Sequence, residues 1–211
     1  MKTVAGETQR LRSFAARCAA LTIICGGGLL AQAPTPYTPL LSDQRWDYYW
    51  HETYLSPGIY LAALGNAGGE QFRNDPPEWG QGVEGYSKRA GSAFATFSIQ
   101  VAVHHAAAAA LHYDPRYFRC ACKGFGPRLG HAFVWSFLTK NEEGETRFNA
   151  PVVAGAYAGG MIPYFWYPAR YSPLKDGFRA GNQELGVVVG IAIIKEFSPE
   201  LKRVFHPRAN P

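Results

Sequence analysis

The sequence predicts an all-α fold, a helical bundle of five or six helices around a central long apolar helix, and three observations carry that expectation. Between residues 92 and 111 there is no Asp, Glu, Lys or Arg, and Phe94, Phe97, Val101, His104, Ala108 and Leu111 recur at three- and four-residue spacing. Ala95, Ile99, Ala102, Val103 and Ala106 cover the opposite side, so this helix is apolar nearly all round and needs other helices about it. Stretches rich in alanine and glycine, around Gly65 and again around Gly155, have too little bulk to hold a helix without close neighbours. No segment alternates apolar and polar residues between turn signals, so strands are not expected, and no repeat of 20–50 residues is apparent.

Residues 1–33 read as a secretion signal. Lys2, Arg10, Arg12 and Arg17 give a basic start, residues 18–30 an apolar run, and Ala31-Gln32-Ala33 the small-x-small form of a cleavage site. Pro34 is an unfavourable residue to follow the cut, which leaves the bond after Ala31 as an alternative. Cys25 is preceded by Ile24 where a lipidated cysteine would want a small residue. Residues 34–43 are proline-rich, lack periodicity and form an extended tether. Residues 44–211 then make a single helical domain.

Within that domain, residues 45–54 place Trp46, Tyr49, Trp50 and Tyr54 on one helical face. Ser56-Pro57 start the next helix, with the hydroxyl as cap and proline in the first turn, and it runs to about Phe72. Residues 74–82 break the chain with two prolines and two glycines before the central helix of residues 85–111. Asp114-Pro115 ends that helix, because the residue before proline is pushed out of helical geometry, and Asp114 caps a short turn through Arg116 and Tyr117. Residues 127–140 read as a helix with Leu129, Phe133, Phe137 and Leu138 inward, and residues 141–147 as a solvent-facing turn. Residues 151–166 resume the small-residue pattern and bend at Pro163; Gly155 and Gly159 have the spacing at which two helix backbones approach. Asp176 caps a last long helix to Phe197, and Ser198-Pro199-Glu200 starts a short terminal one.

The net charge of +5 is mostly leader, since cleavage removes four basic residues and Glu7 and leaves +2. That is too little for the dense basic face that nucleic acid requires, so nucleic acid is not an expected partner. Cys120 and Cys122 are the cysteines of the mature chain, in a protein bound for an oxidising compartment. They read as a local disulfide across a bent backbone, as thiols that are free or paired between molecules, or as half of a metal site with His112 or His131.

The candidate catalytic residues are Glu78, His104 and His105. Adjacent residues on a helix point about 100° apart, so the two histidines cannot chelate one metal together, and no HExxH spacing is present. No metal or cofactor is expected. His104 lies on the Phe94/Phe97/Val101 stripe and reads either as a hydrogen-bonded core residue or as a buried acid-base group. Glu78, beside Asp75 at the mouth of the central helix, would serve as a general base if desolvated, or else pairs with a base or caps backbone amides. The candidate binding residues are Lys88 and Arg89, early in the central helix, and Arg116 and Arg119 beyond its far end. The latter two, with Lys123 and Arg128, form a basic patch suited to phosphate headgroups or simply a solvated loop. No Ser-x-x-Lys, GxSxG or phosphate-cradling glycine loop occurs.

Glu78-Trp79-Gly80-Gln81-Gly82, Gly85-Tyr86-Ser87-Lys88-Arg89 and Asp114-Pro115-Arg116-Tyr117-Phe118 resemble segments of a group of uncharacterised exported bacterial proteins. The likeness runs from about Ser56 to the terminal helix and includes the Ala-Gly-rich helix near Gly155 and the Lys195-Glu196-Phe197 ending. It implies export and implies no activity. The sequence therefore reads as an exported cell-envelope protein, periplasmic or membrane-associated, with a non-enzymatic binding or structural role at a membrane surface, a lipid or an envelope protein. The alternative is an envelope enzyme acting on a lipid or cell-wall substrate through a buried His/carboxylate site. The uncharged length of the central helix would permit a span, but Gln100, His104 and His105 would have to be satisfied away from lipid. The helix is therefore expected to be buried among protein neighbours, with any membrane contact peripheral.

Overall fold

The computed structural model describes residues 37–205, with side chains through Leu201; the expected secretion signal and cleavage site lie outside the described residues. The chain is mostly helical. In order come α1 (Ser42–Thr53), α2 (Gly58–Arg73), a 3₁₀ turn (Pro77–Trp79), α3 (Gly82–Ala110) and α4 (Phe125–Trp135). A small antiparallel pair, β1 (Leu138–Lys140) and β2 (Thr146–Phe148), follows, then α5 (Ala150–Met161), a 3₁₀ turn (Ile162–Phe165) and α6 (Lys175–Phe205). α3 packs against α2 and α5, α5 against α6, and α6 against α4.

Glycine makes those contacts close. A Cβ on Gly155 would lie 2.6 Å from the Gln100 carbonyl oxygen of α3, and one on Gly159 2.9 Å from Gln100 Cβ. On the other side of α5, a Cβ on Gly160 would lie 2.3 Å from the Gly181 nitrogen of α6. The backbones can approach only because those atoms are missing. α2 departs from the expectation, since Gly65 and Gly68 face open space and its buried side consists of Ile59, Ala63 and Ala67.

Four further expectations are corrected. Strands are present, although each is three residues long and so too short for an alternating pattern to register. β1 replaces the end of the expected helix over residues 127–140, leaving Phe133 exposed. It is held there by Thr139, whose hydroxyl donates to the Asp114 carbonyl at 2.6 Å, and by the Asp114 N–H, which donates to the Lys140 carbonyl at 2.8 Å. Ser56 does not cap α2; its hydroxyl donates back to the Glu52 carbonyl at 2.9 Å. α6 runs on through Pro199 instead of restarting at Ser198. Proline has no N–H for the Lys195 carbonyl four residues earlier, and the Ser198 hydroxyl donates to it instead, at 2.9 Å.

The long apolar helix is corrected as well. α3 is 29 residues long, but its buried residues include Arg89, Ser92 and Gln100 beside Gly85, Ala93 and Ala108. Among the described residues, no helix is long and apolar enough to cross a membrane.

Candidate functional site

Two fully buried charges organise the polar interior, one early in α3 and one late in α6. Arg89 is 0% exposed. Its guanidinium donates to the carbonyls of Asp75 at 2.9 Å, Pro76 at 2.7 Å and Gly80 at 2.8 Å, and to Gln71 Oε1 at 2.7 Å. Among the described residues it has no carboxylate partner within ion-pair distance. Gly80 and Gly82 take positive φ of 71° and 79°, and a Cβ on Gly85 would meet the Gly80 oxygen at 2.3 Å. The spaced glycines therefore wrap the 74–82 loop around Arg89.

Glu196 is also 0% exposed. Its carboxylate accepts from the Tyr117 hydroxyl at 2.9 Å, the Cys120 N–H at 3.1 Å and Arg128 Nε at 3.2 Å, with His131 Nδ1 at 3.6 Å. Arg128 also donates to the Glu196 carbonyl and to Glu200 Oε1, the latter at 2.6 Å, and stacks over Phe197. Burial, and then the hydrogen bond to Glu196, push the Tyr117 hydroxyl well above the usual phenol range. The adjoining Cys120 and Cys122 form a disulfide.

One residue earlier on α6, Lys195 pairs with Glu52 of α1. Burial alone would raise the Glu52 pKa, but the Lys195 ammonium, its hydrogen bond and that of Tyr48 more than offset it, so Glu52 is held below the usual carboxylate range. An open cavity of about 390 Å³ is bordered by this pair and by Tyr48, Tyr117, Arg119 and Ser198. Arg119 is exposed there and makes no ion pair or side-chain hydrogen bond among the described residues.

The residues expected from sequence fall in different places. Glu78 lies exposed, 3.1 Å from Arg170 and before the start of α3, whereas His104 and His105 lie near the end of that helix. His105 packs against Tyr48 and Tyr49, with ring centroids at 5.8 and 5.2 Å, beside the Glu52–Lys195 pair; burial, only partly offset by Glu52, lowers its pKa. His104 Nε2 is buried without a hydrogen-bond partner among the described residues, and burial followed by the neighbouring His105 brings its pKa down to about 4. Neither histidine lines the cavity. Lys88 is paired with Glu84 at 2.7 Å on the surface, and Arg116 with the buried Asp114 at 2.6 Å while also reaching the Thr38 carbonyl. Of the candidate residues, only Arg119 borders the cavity. Among the described residues, no three His, Cys, Asp or Glu side chains come together in a way that could hold a metal ion.

No family model, curated protein or solved structure matches the chain. The site is therefore defined by its own geometry. Sequence reasoning passed over Glu52, Lys195 and Glu196. The available signal was the adjacent Lys195-Glu196 pair, the first charged residues after the ten-residue apolar run 185–194.

Proposed function

We propose that this is an exported cell-envelope protein with a non-enzymatic binding role, a bundle built around α3 that attaches peripherally to a membrane surface. The observation that carries this reading is the corner where α2 meets α3. Phe72 is 94% exposed and Val83 84% exposed. Gln71 ties the end of α2 to the start of α3, donating to Gln81 Oε1 at 2.8 Å and to the Gly82 carbonyl at 3.3 Å. Leu61 and Leu64 extend the exposed apolar surface along α2, and Arg73 adds a positive charge next to Phe72, while Lys88 is balanced by Glu84. Apolar side chains that protrude beside a cation suit the interface between anionic headgroups and acyl chains.

The test is flotation of the mature protein with vesicles of phosphatidylcholine and phosphatidylglycerol. Full burial of Phe and Val is worth about 1.5–3 kcal/mol each, so Phe72→Asp with Val83→Asp should weaken partitioning by tenfold or more. Alkaline carbonate should extract the wild-type protein from envelope membranes. A wild-type protein that stays at the bottom of the gradient, or a double variant that floats unchanged, would remove this reading.

The enzyme alternative draws on a different observation, that Glu52 borders the cavity with His105 close behind it. Its carboxylate is already neutralised by Lys195 and bound by Tyr48, which fits an ion pair in the wall better than a free general base.

A further inference from the structure

We propose that the cavity beside Lys195 binds a phosphate group, held by the Arg119 guanidinium at its edge and the Lys195 ammonium in its wall. The bordering charges are Arg119 and Lys195 against Glu52, so the cavity carries one positive charge in excess. Glu52 does not repel an anion as a bare carboxylate would, since Lys195 and Tyr48 both bind it. Lys195 has three N–H donors and Glu52 occupies one, which leaves others for a ligand. Arg119 offers a planar fork of donors with no other partner among the described residues, a geometry matched to phosphate oxygens.

The wall is built to hold those two cations in place. The Glu196 cage draws in the 117–120 segment through the Tyr117 hydroxyl and the Cys120 N–H, which sets the position of Arg119 between them. Lys195 is fixed by Glu52, 143 residues away in sequence. At about 390 Å³ the cavity exceeds a bare phosphate, so the group is expected on a larger molecule, either a lipid headgroup or a soluble phosphate ester. The inference does not depend on the apolar corner at Phe72 and Val83, which belongs to the other end of α3.

Two probes separate the sources: glycerol 3-phosphate in solution, followed by calorimetry, and phosphatidylglycerol vesicles, followed by flotation against phosphatidylcholine alone. Arg119 is exposed and makes no side-chain hydrogen bond among the described residues, so Arg119→Ala should leave the fold intact. It should weaken binding about tenfold or more, the worth of a charge-assisted contact. Lys175→Ala, which removes the same charge roughly 30 Å away along α6, should change nothing. Saturable, Arg119-dependent binding of glycerol 3-phosphate supports a soluble ester. Arg119-dependent flotation with phosphatidylglycerol, without binding of the free ester, supports a headgroup. The proposal is overturned if neither probe binds, or if Arg119→Ala and Lys175→Ala behave alike. Phe72→Asp with Val83→Asp should leave glycerol 3-phosphate binding intact, so failure of the membrane reading and failure of this one are told apart.

Discussion

Arg89 and Glu196 face the same physical problem with opposite sign, a full charge with no exposed surface, and they are satisfied in different ways. The Arg89 cage is made of backbone carbonyls and one amide side chain drawn from a single loop and the helix beside it. The Glu196 cage is made mostly of side chains from separate segments, Tyr117, Arg128 and His131, and its neighbour Lys195 reaches an open cavity. A buried charge must be met by partners of good geometry or it destabilises the fold, so both cages are obligatory. A closed cage of carbonyls shapes a loop. A cage of side chains beside a cavity also positions groups that a ligand can meet.

The comparison is tested most severely at Arg89. Arg89→Leu strands three carbonyls and the Gln71 side chain, and should lower unfolding free energy by about 3–5 kcal/mol in denaturant titrations. Arg89→Lys should recover little of this, because an ammonium cannot reproduce the fork that reaches four acceptors. A loss under about 1 kcal/mol in either variant would mean that the loop closes without its cation.

Glu196→Gln should cost less, about 1–3 kcal/mol, since an amide keeps the shape and part of the accepting capacity while Arg128 retains Glu200. Its distinctive effect should be on the cavity. With the 117–120 segment less firmly held, glycerol 3-phosphate binding should weaken, whereas no Arg89 variant that still folds should alter it. Equal effects on binding from both cages would erase the difference between them.

Much of the helical order was legible because it rests on periodicity and on proline and glycine punctuation, as at residues 74–82 and at Asp114-Pro115. What stayed hidden depends on contacts between residues far apart in the chain. Nothing local distinguishes Glu52 from the exposed Asp47 five residues earlier, and only the fold brings Lys195 to it. β1 was missed for a related reason, since its partners are the Asp114 segment and a strand of three residues. The candidate site was legible at Arg119 alone. The resembling segments are explained mainly as architecture: the glycines of residues 80–85 fold around Arg89, Asp114 anchors Arg116 and β1, and Lys195-Glu196 carries one half-buried and one buried ion contact.

Glu184 supplies the smallest and sharpest comparison, because it is another carboxylate on α6, half-buried where Glu196 is fully buried, and it has no cage. Its Oε2 is buried with no hydrogen-bond partner among the described residues, and burial pushes its pKa up to about 7. A carboxyl whose folded pKa is raised favours folding in its protonated form, so its stabilising contribution is present at low pH and lost as pH rises through about 7. Glu184→Gln should therefore match wild type near pH 4 and exceed it at pH 8 by about 1–3 kcal/mol. The same substitution at Glu196 should destabilise at pH 8, so one chemical change on one helix gives opposite signs according to whether the carboxylate has partners. Denaturant titrations of both variants at the two pH values decide it, and a Glu184→Gln variant no more stable than wild type at pH 8 would show that this carboxylate ionises without cost.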